Sequence, residues 1–218
     1  MKYNFIAIDG NTGAGKTSLA NQLHQLFGGQ LILEEFVENP FLPLAYKEPG
    51  RYDFQNEIFF LTARYHQLKN IINSPALYNE LHISDYIFVK SLLYAEVNLS
   101  KLEFELFHKT FHIMYESLPE PELVIYIHSN VDRLIENIKK RGRGFEQVVR
   151  RQYLKDVEDV YFKYFENNPQ LRILIINAHD IDFVNDQVHW DWVLNKITQT
   201  YPPGMTVIEW PENNPQSL

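Results

Sequence analysis

The stretch FIAIDGNTGAGKTSL, residues 5–19, leaves few folds open to this chain. The apolar run Phe5-Ile6-Ala7-Ile8 reads as a buried strand. Gly10 to Thr17 then spells G-x-x-x-x-G-K-T, the full phosphate-binding loop pattern. Gly10, Gly13 and Gly15 permit a tight turn that side chains would obstruct. That turn points the backbone N–H groups of Asn11, Thr12, Ala14 and their neighbours inward, toward phosphate oxygens. Lys16 can neutralise beta and gamma phosphates, and the Thr17 hydroxyl can bind Mg²⁺. A helix starting there, with Ser18 in its first turn, offers its positive end to the anion. The loop predicts nucleotide phosphate binding. It does not say where a phosphoryl group goes.

Bulk properties narrow the field. At 218 residues the chain can bury one substantial core. It has no Cys, which excludes disulfides and thiolate metal sites. It starts directly in strand and loop, without a charged-then-apolar leader, and no run approaches the ~20 apolar residues of a membrane span. A net charge of −8 argues against a non-specific nucleic-acid grip. The expectation is a cytoplasmic protein with a small-molecule partner, no nucleic acid and no membrane.

Strand candidates alternate with helical segments. Thr17–Phe27 carries Leu19, Leu23 and Leu26 at helical spacing, and Gly28-Gly29 stops it. Leu31-Ile32-Leu33 is a short strand that runs into Glu34-Glu35. Pro40, Pro43, Pro49 and Gly50 mark an irregular loop. Asp53–Ile72 is a long helix bearing Glu57 and Arg64, seven residues apart; they can share a cavity or belong to a charge ladder. A third strand ends in Asp85, and helices follow through Ala95 and over 102–115. Leu123–His128 is a strong buried strand. Helices over 131–140, 146–165 and 184–197 flank a last strand, 171–176. Five strands with intervening helices predict a mostly parallel sheet covered on both faces, in a single domain over 1–200 with a tail from 201. In such a sheet the loops beyond the strand C-termini form the binding crevice. Strand two therefore delivers Glu34 and Glu35 to the phosphate loop.

Lys139-Lys140-Arg141-Gly142-Arg143 places four positive charges in five residues, followed by Gly144. Over 139–146 this reads as an arginine-bearing lid. A GTPase is disfavoured: Asn177-Ala178-His179-Asp180 has N-x-x-D spacing without the usual Lys, and no D-x-x-G occurs. A mechanical ATPase lacks partner elements. A small-molecule kinase uses what is present: a carboxylate, Glu35, for the acceptor hydroxyl, and lid arginines for the transferring phosphoryl group.

With these motifs in hand, the chain resembles the deoxynucleoside kinases of the thymidine-kinase-like, phosphate-loop class. The resemblance rests on GNTGAGKTS, Glu34-Glu35 before Phe36-Val37-Glu38-Asn39-Pro40, and Tyr46 to Tyr52. It continues through the helix with Glu57 and Arg64, the lid Arg141 to Gln147, Tyr153-Leu154 and the loop Asn177 to Phe183. It implies a P-loop kinase fold and transfer from ATP, with Mg²⁺, to a deoxynucleoside 5′-hydroxyl, giving the monophosphate and ADP. It also implies a homodimer. Glu35 matches the general base. Thr17 and Asp85 match magnesium-holding residues. Tyr46 and Glu146 match the pair on the sugar 3′-hydroxyl, and Arg141 and Arg143 the phosphate clamp. Arg64 matches a base-reading arginine. The loop carrying Asp180, Asp182 and Phe183 matches the donor-adenine loop.

Three positions depart from the pattern. Tyr86 stands where an arginine is usual, with Lys90 one turn later. Glu57 replaces a base-reading glutamine. Asn137 replaces a lid arginine. A carboxylate accepts but does not donate, so Glu57 predicts a preference for bases presenting donors, the amines of adenine and cytosine or the N1–H and amino group of guanine, over thymine, with purines favoured. The alternatives are a nucleotide monophosphate kinase of the thymidylate kinase type and, in another class, a non-catalytic nucleotide-binding regulatory protein.

Overall fold

A computed structural model of the chain describes residues 1–35, 39–72 and 80–211. Phe36-Val37-Glu38, and the Ser74-Pro75 expected to end the long helix, lie outside the described residues. The strands are β1 (Phe5–Gly10), β2 (Gln30–Ile32), β3 (His82–Ser84), β4 (Leu123–His128), β5 (Arg172–Asn177) and β6 (Gly204–Ile208). They form one sheet in the order β2-β3-β1-β4-β5-β6. Every adjacent pair is parallel, with Ala7 opposite both Ser84 and Val124.

Parallel strands bury both faces, so alternate residues enter different cores. Ile6 and Ile8, Leu123, Ile125 and Ile127, and Leu174 and Ile176 point to one face. There they meet α1 (Lys16–Phe27), α6 (Val131–Arg141) and α8 (Gln187–Ile197) through Leu23, Leu134 and Val193. Phe5 and Ala7, Val124 and Tyr126, and Ile173 and Ile175 point to the other. That face is covered by α3 (Asp53–Ile72), α4 (Lys90–Asn98), α5 (Lys101–Tyr115) and α7 (Arg151–Asn167), through Leu61, Leu93, Phe107 and Tyr161.

Three features differ from expectation. The sheet has a sixth strand, β6, in the segment expected as a tail. Met205 and Val207 are exposed, so it lacks the continuous apolar signal of the central strands. Its position comes from distant partners: Arg172 donates to the Tyr201 carbonyl, Tyr201 N donates to the Tyr3 hydroxyl at 2.8 Å, and Trp210 packs on Trp192. The Pro-rich loop contains a short helix, α2 (Leu42–Lys47), with Pro43 in its first turn, where the missing N–H costs nothing. The long helix expected from Glu146 begins instead as a 3₁₀ turn (Gly144–Val148) before α7.

Candidate active site

β1 ends at Gly10 and α1 begins at Lys16, with no side chain capping its first turn. The amide groups there remain available to an anion. Gly13 (φ +87°) could not carry a side chain: a Cβ would lie 2.7 Å from the Leu134 carbonyl of α6. Gly15 (φ +96°) lies against the Phe183 ring, 3.0 Å from where a Cβ would stand. The loop is thus clasped between the lid helix and the Asn177–Phe183 loop. Two side chains reinforce this, Asn137, which replaces a lid arginine, and Arg133, which the sequence did not single out. Asn137 Nδ2 donates to the Gly13 carbonyl at 2.9 Å. Arg133 donates to the carbonyls of His179 (2.7 Å) and Ile181 (2.5 Å).

A cavity of about 600 Å³ opens over the loop. Thr12 to Ser18 form its floor, Glu34, Asp85 and Lys90 one wall, Arg141, Arg143 and Glu146 the lid, and Asp182 and Phe183 the far side. Lys16 Nζ donates to the carbonyls of Gly10 and Asn11, both at 3.0 Å. Burial, helped by the like charge of Lys90, pulls its pKa down to about 8. Thr17 Oγ1 donates to Asp85 Oδ2 at 2.6 Å, and Asp85 Oδ1 accepts from the Glu34 amide at 2.7 Å. A hydroxyl and a carboxylate at the mouth of a phosphate loop are the hard oxygen donors that Mg²⁺ takes together with phosphate oxygens and water. The residues therefore fit that ion.

The strand-end glutamates separate. Glu35 is exposed and does not line the cavity, contrary to its expected place. Glu34 occupies the wall. The Asp85 carboxylate fixes its amide, and its own side chain is drawn to two cations: Arg64, at 2.9 and 2.5 Å to Oε1, and Lys90, at 3.0 Å to Oε2. Burial opposes its charge, but Lys90, Arg64 and Lys16 outweigh that and hold the carboxyl well below the usual range. Lys90 provides the charge absent at position 86. Tyr86 turns into the core and donates to Gln67 Oε1 at 2.8 Å.

Arg64 does not pair with Glu57. Its remaining arm donates to Ser91 Oγ at 2.7 Å, and its guanidinium lies 4.9 Å from the centre of the Phe60 ring. Glu57 instead accepts from Asn98 Nδ2 (2.9 Å) and Asn56 Nδ2 (3.2 Å). With no cation in hydrogen-bond contact, burial pushes its pKa up to about 7. Glu146, also buried, receives Arg141 on Oε2 and Arg143 on Oε1, the latter at 3.2 Å. Tyr46 packs against Phe145, ring centres 5.6 Å apart, at this end of the lid. Asp182 accepts from the amides of Val184 and Asn185 and so shapes its own loop, while Asp180 is exposed.

The parallel sheet, the glycine-rich turn into an uncapped helix, the buried carboxylate and the arginine lid define a P-loop phosphotransferase. A family model described as deoxynucleoside kinase matches residues 6–201. The chain is 37% identical over 184 residues to a deoxyguanosine kinase of Bacillus subtilis, covering 83% of this chain and 89% of that one. It is 32% identical to a deoxyadenosine kinase of Lactobacillus acidophilus, over 89% and 94% of the two chains. A solved deoxyadenosine kinase from M. mycoides, with products dCMP and a flexible dCDP bound, superposes with a TM-score of 0.76 at 25% identity, covering 88% of this chain and 97% of that one. The chain belongs to the deoxynucleoside kinase family.

Proposed function

We propose that the chain transfers the gamma-phosphoryl group of ATP to the 5′-hydroxyl of a deoxynucleoside, giving the monophosphate and ADP, with purine deoxynucleosides preferred over thymidine. The observation that carries this is Glu34, held by Arg64 and Lys90 on the wall of the cavity whose floor is the phosphate loop. A carboxylate there accepts a hydrogen bond from the acceptor hydroxyl and aims its oxygen at the phosphorus. The new O–P bond forms as the bond to the leaving ADP breaks. The hydroxyl proton passes to Glu34 late, because a loose transition state asks little of the base before bond formation. A group kept charged by two cations suits that aiming role.

Thr17 and Asp85 would hold Mg²⁺, which supplies charge to the phosphates. Arg141 and Arg143 lie at the lid, where fork-shaped donors match phosphate oxygens. We assign Arg64 to bracing Glu34 rather than to reading the base. Tyr46 and Glu146 remain the candidates for the sugar hydroxyl, and Glu57 for the base. The purine reading draws support from Glu57 and from the deoxyguanosine and deoxyadenosine kinases among the relatives. We read residues 1–200 as one catalytic unit with the 139–146 lid, and β6 as an extension of its sheet.

The test is labelled ATP with purified protein and a panel of deoxynucleosides and monophosphates. Transfer to deoxyguanosine or deoxyadenosine is expected. Transfer to monophosphates alone would move the assignment to the thymidylate kinase type. No transfer to any acceptor, with nucleotide binding intact, would favour a regulatory role.

A further inference from the structure

The cations that line the cavity over the phosphate loop are committed inside the protein, with one exception among the described residues. Lys16 donates to the carbonyls of Gly10 and Asn11. Lys90 pairs with Glu34, and Arg141 and Arg143 both pair with Glu146. Arg133 holds the carbonyls of His179 and Ile181. Lys140 lines the same cavity, is exposed, and makes no hydrogen bond or ion pair among the described residues. Either lid arginine must leave or share Glu146 before it takes a phosphate oxygen. The Lys140 ammonium gives up only water.

The placing of Lys140 follows from α6. That helix is pressed onto the phosphate loop at Gly13, where the Leu134 carbonyl leaves no room for a side chain. Asn137 commits its amide to the Gly13 carbonyl at 2.9 Å and carries no charge, so position 137 brings no cation to the cavity. Lys140 stands about one turn further along the same helix. At 3.6 residues per turn, it comes back to within about 20° of the line of Arg133, while Arg141 lies about 80° round from it. Arg133 is tied to the Asn177–Phe183 loop, and Arg141 to Glu146. Lys140 therefore occupies the side of the lid helix away from Glu146.

We propose that Lys140 is a donor-binding residue whose ammonium meets the phosphates that remain on ADP, supplying the cation that position 137 lacks. This rests on the reading above, in which ATP is the donor and Glu146 lies toward the acceptor sugar. A cation on the opposite side of the helix meets the leaving end of the donor rather than the group in transfer. Those phosphates are held before, during and after the reaction. The contact is therefore made equally in the ground and transition states, and its loss belongs in KM rather than in kcat.

The experiment measures ADP and ATP affinity by calorimetry, with kcat and KM for ATP and for deoxyguanosine, on the parent, Lys140→Met, Lys140→Arg and Lys109→Met. Methionine keeps the unbranched stem and removes the charge. Lys140→Met should weaken ADP and ATP by about tenfold, the size of one hydrogen bond to a charged group. KM for ATP should rise to match, with kcat and the deoxyguanosine KM within about twofold of the parent. Lys140→Arg keeps the charge and should stay near the parent. Lys109→Met makes the same charge change at an exposed site on α5, outside the cavity lining, and should move neither affinity. Unchanged ADP affinity in Lys140→Met would overturn the proposal. If the melting temperature fell as well, the lysine would be a charge that complements the helix C-terminus. If kcat fell instead, it would serve the transferred group. Equal weakening in Lys109→Met would overturn the proposal in favour of a net-charge effect. A parent that binds ADP and ATP and phosphorylates no deoxynucleoside would overturn the acceptor reading alone, because the ADP comparison needs no acceptor.

Discussion

Glu34, on the wall of the cavity, and Glu57, buried on α3, are two carboxyl groups whose pKa values move in opposite directions. Burial raises the pKa of both. At Glu34 three cations reverse that effect. At Glu57 the hydrogen-bonding partners are neutral amides, which moderate burial without overcoming it. Glu57 also sits deeper than Glu34, but what sets the directions apart is the company each carboxyl keeps, cations at one and amides at the other. Glu34 therefore keeps its negative charge, while Glu57 holds a proton into the neutral range.

Removing a cation from Glu34 should break the contrast most strongly. Lys90→Met takes a charge from Glu34 and from Asp9, a fully buried carboxyl whose pKa is already raised by burial and held down chiefly by Lys90. Truncating one partner of a buried pair typically costs ~3–5 kcal/mol. Denaturant unfolding at neutral pH should show a loss of this size. A change under ~1 kcal/mol would mean that Arg64 alone holds Glu34.

Glu57 should respond with the opposite sign. The folded-state pKa of Glu57 is raised from 4.5 to about 7, so the native state keeps a proton that the unfolded chain has lost. The stability carried by that proton is full below the unfolded pKa and disappears as pH rises through about 7. Glutamine cannot ionise, so Glu57→Gln should gain on the parent by up to about 3 kcal/mol above pH 8, and the gain should shrink as pH falls and vanish below the unfolded pKa of 4.5. Thermal melts of both proteins across pH read the difference. A constant offset would show that Glu57 does not titrate in this range.

The lid should give the smallest stability effect. Arg141 and Arg143 are partly exposed, and each leaves the other on Glu146. Arg143→Ala should cost under ~1 kcal/mol of stability while lowering phosphoryl transfer by roughly 10²-fold. Collapse of the melting temperature with kcat intact would make the lid structural.

Local patterns in the chain made the phosphate loop and the central strands legible, because each is written in consecutive residues. The loop from Gly10 to Thr17 and the run Leu123–His128 appear where periodicity and motif place them. β6 was not legible because its half-exposed pattern is weak and its anchors, Tyr3 and Arg172, lie far away in sequence. The choice between Glu34 and Glu35 was out of reach for a similar reason. Both follow the same strand, and it takes Asp85, Arg64 and Lys90, from three other places in the chain, to draw one inward. Arg133 is likewise an ordinary first-turn helix residue until the fold brings the carbonyls of His179 and Ile181 to it.

We propose Glu34, and not Glu35, as the carboxylate at the reacting hydroxyl. The most direct measurement compares kcat for Glu34→Gln and Glu35→Gln under saturating ATP and deoxynucleoside, with nucleotide affinity measured alongside. A loss of ~10²–10⁴-fold is expected for Glu34→Gln, in the range of a missing general base, with nucleotide binding retained and with Glu35→Gln close to the parent. A large loss for Glu35→Gln alongside near-parental turnover of Glu34→Gln would contradict it.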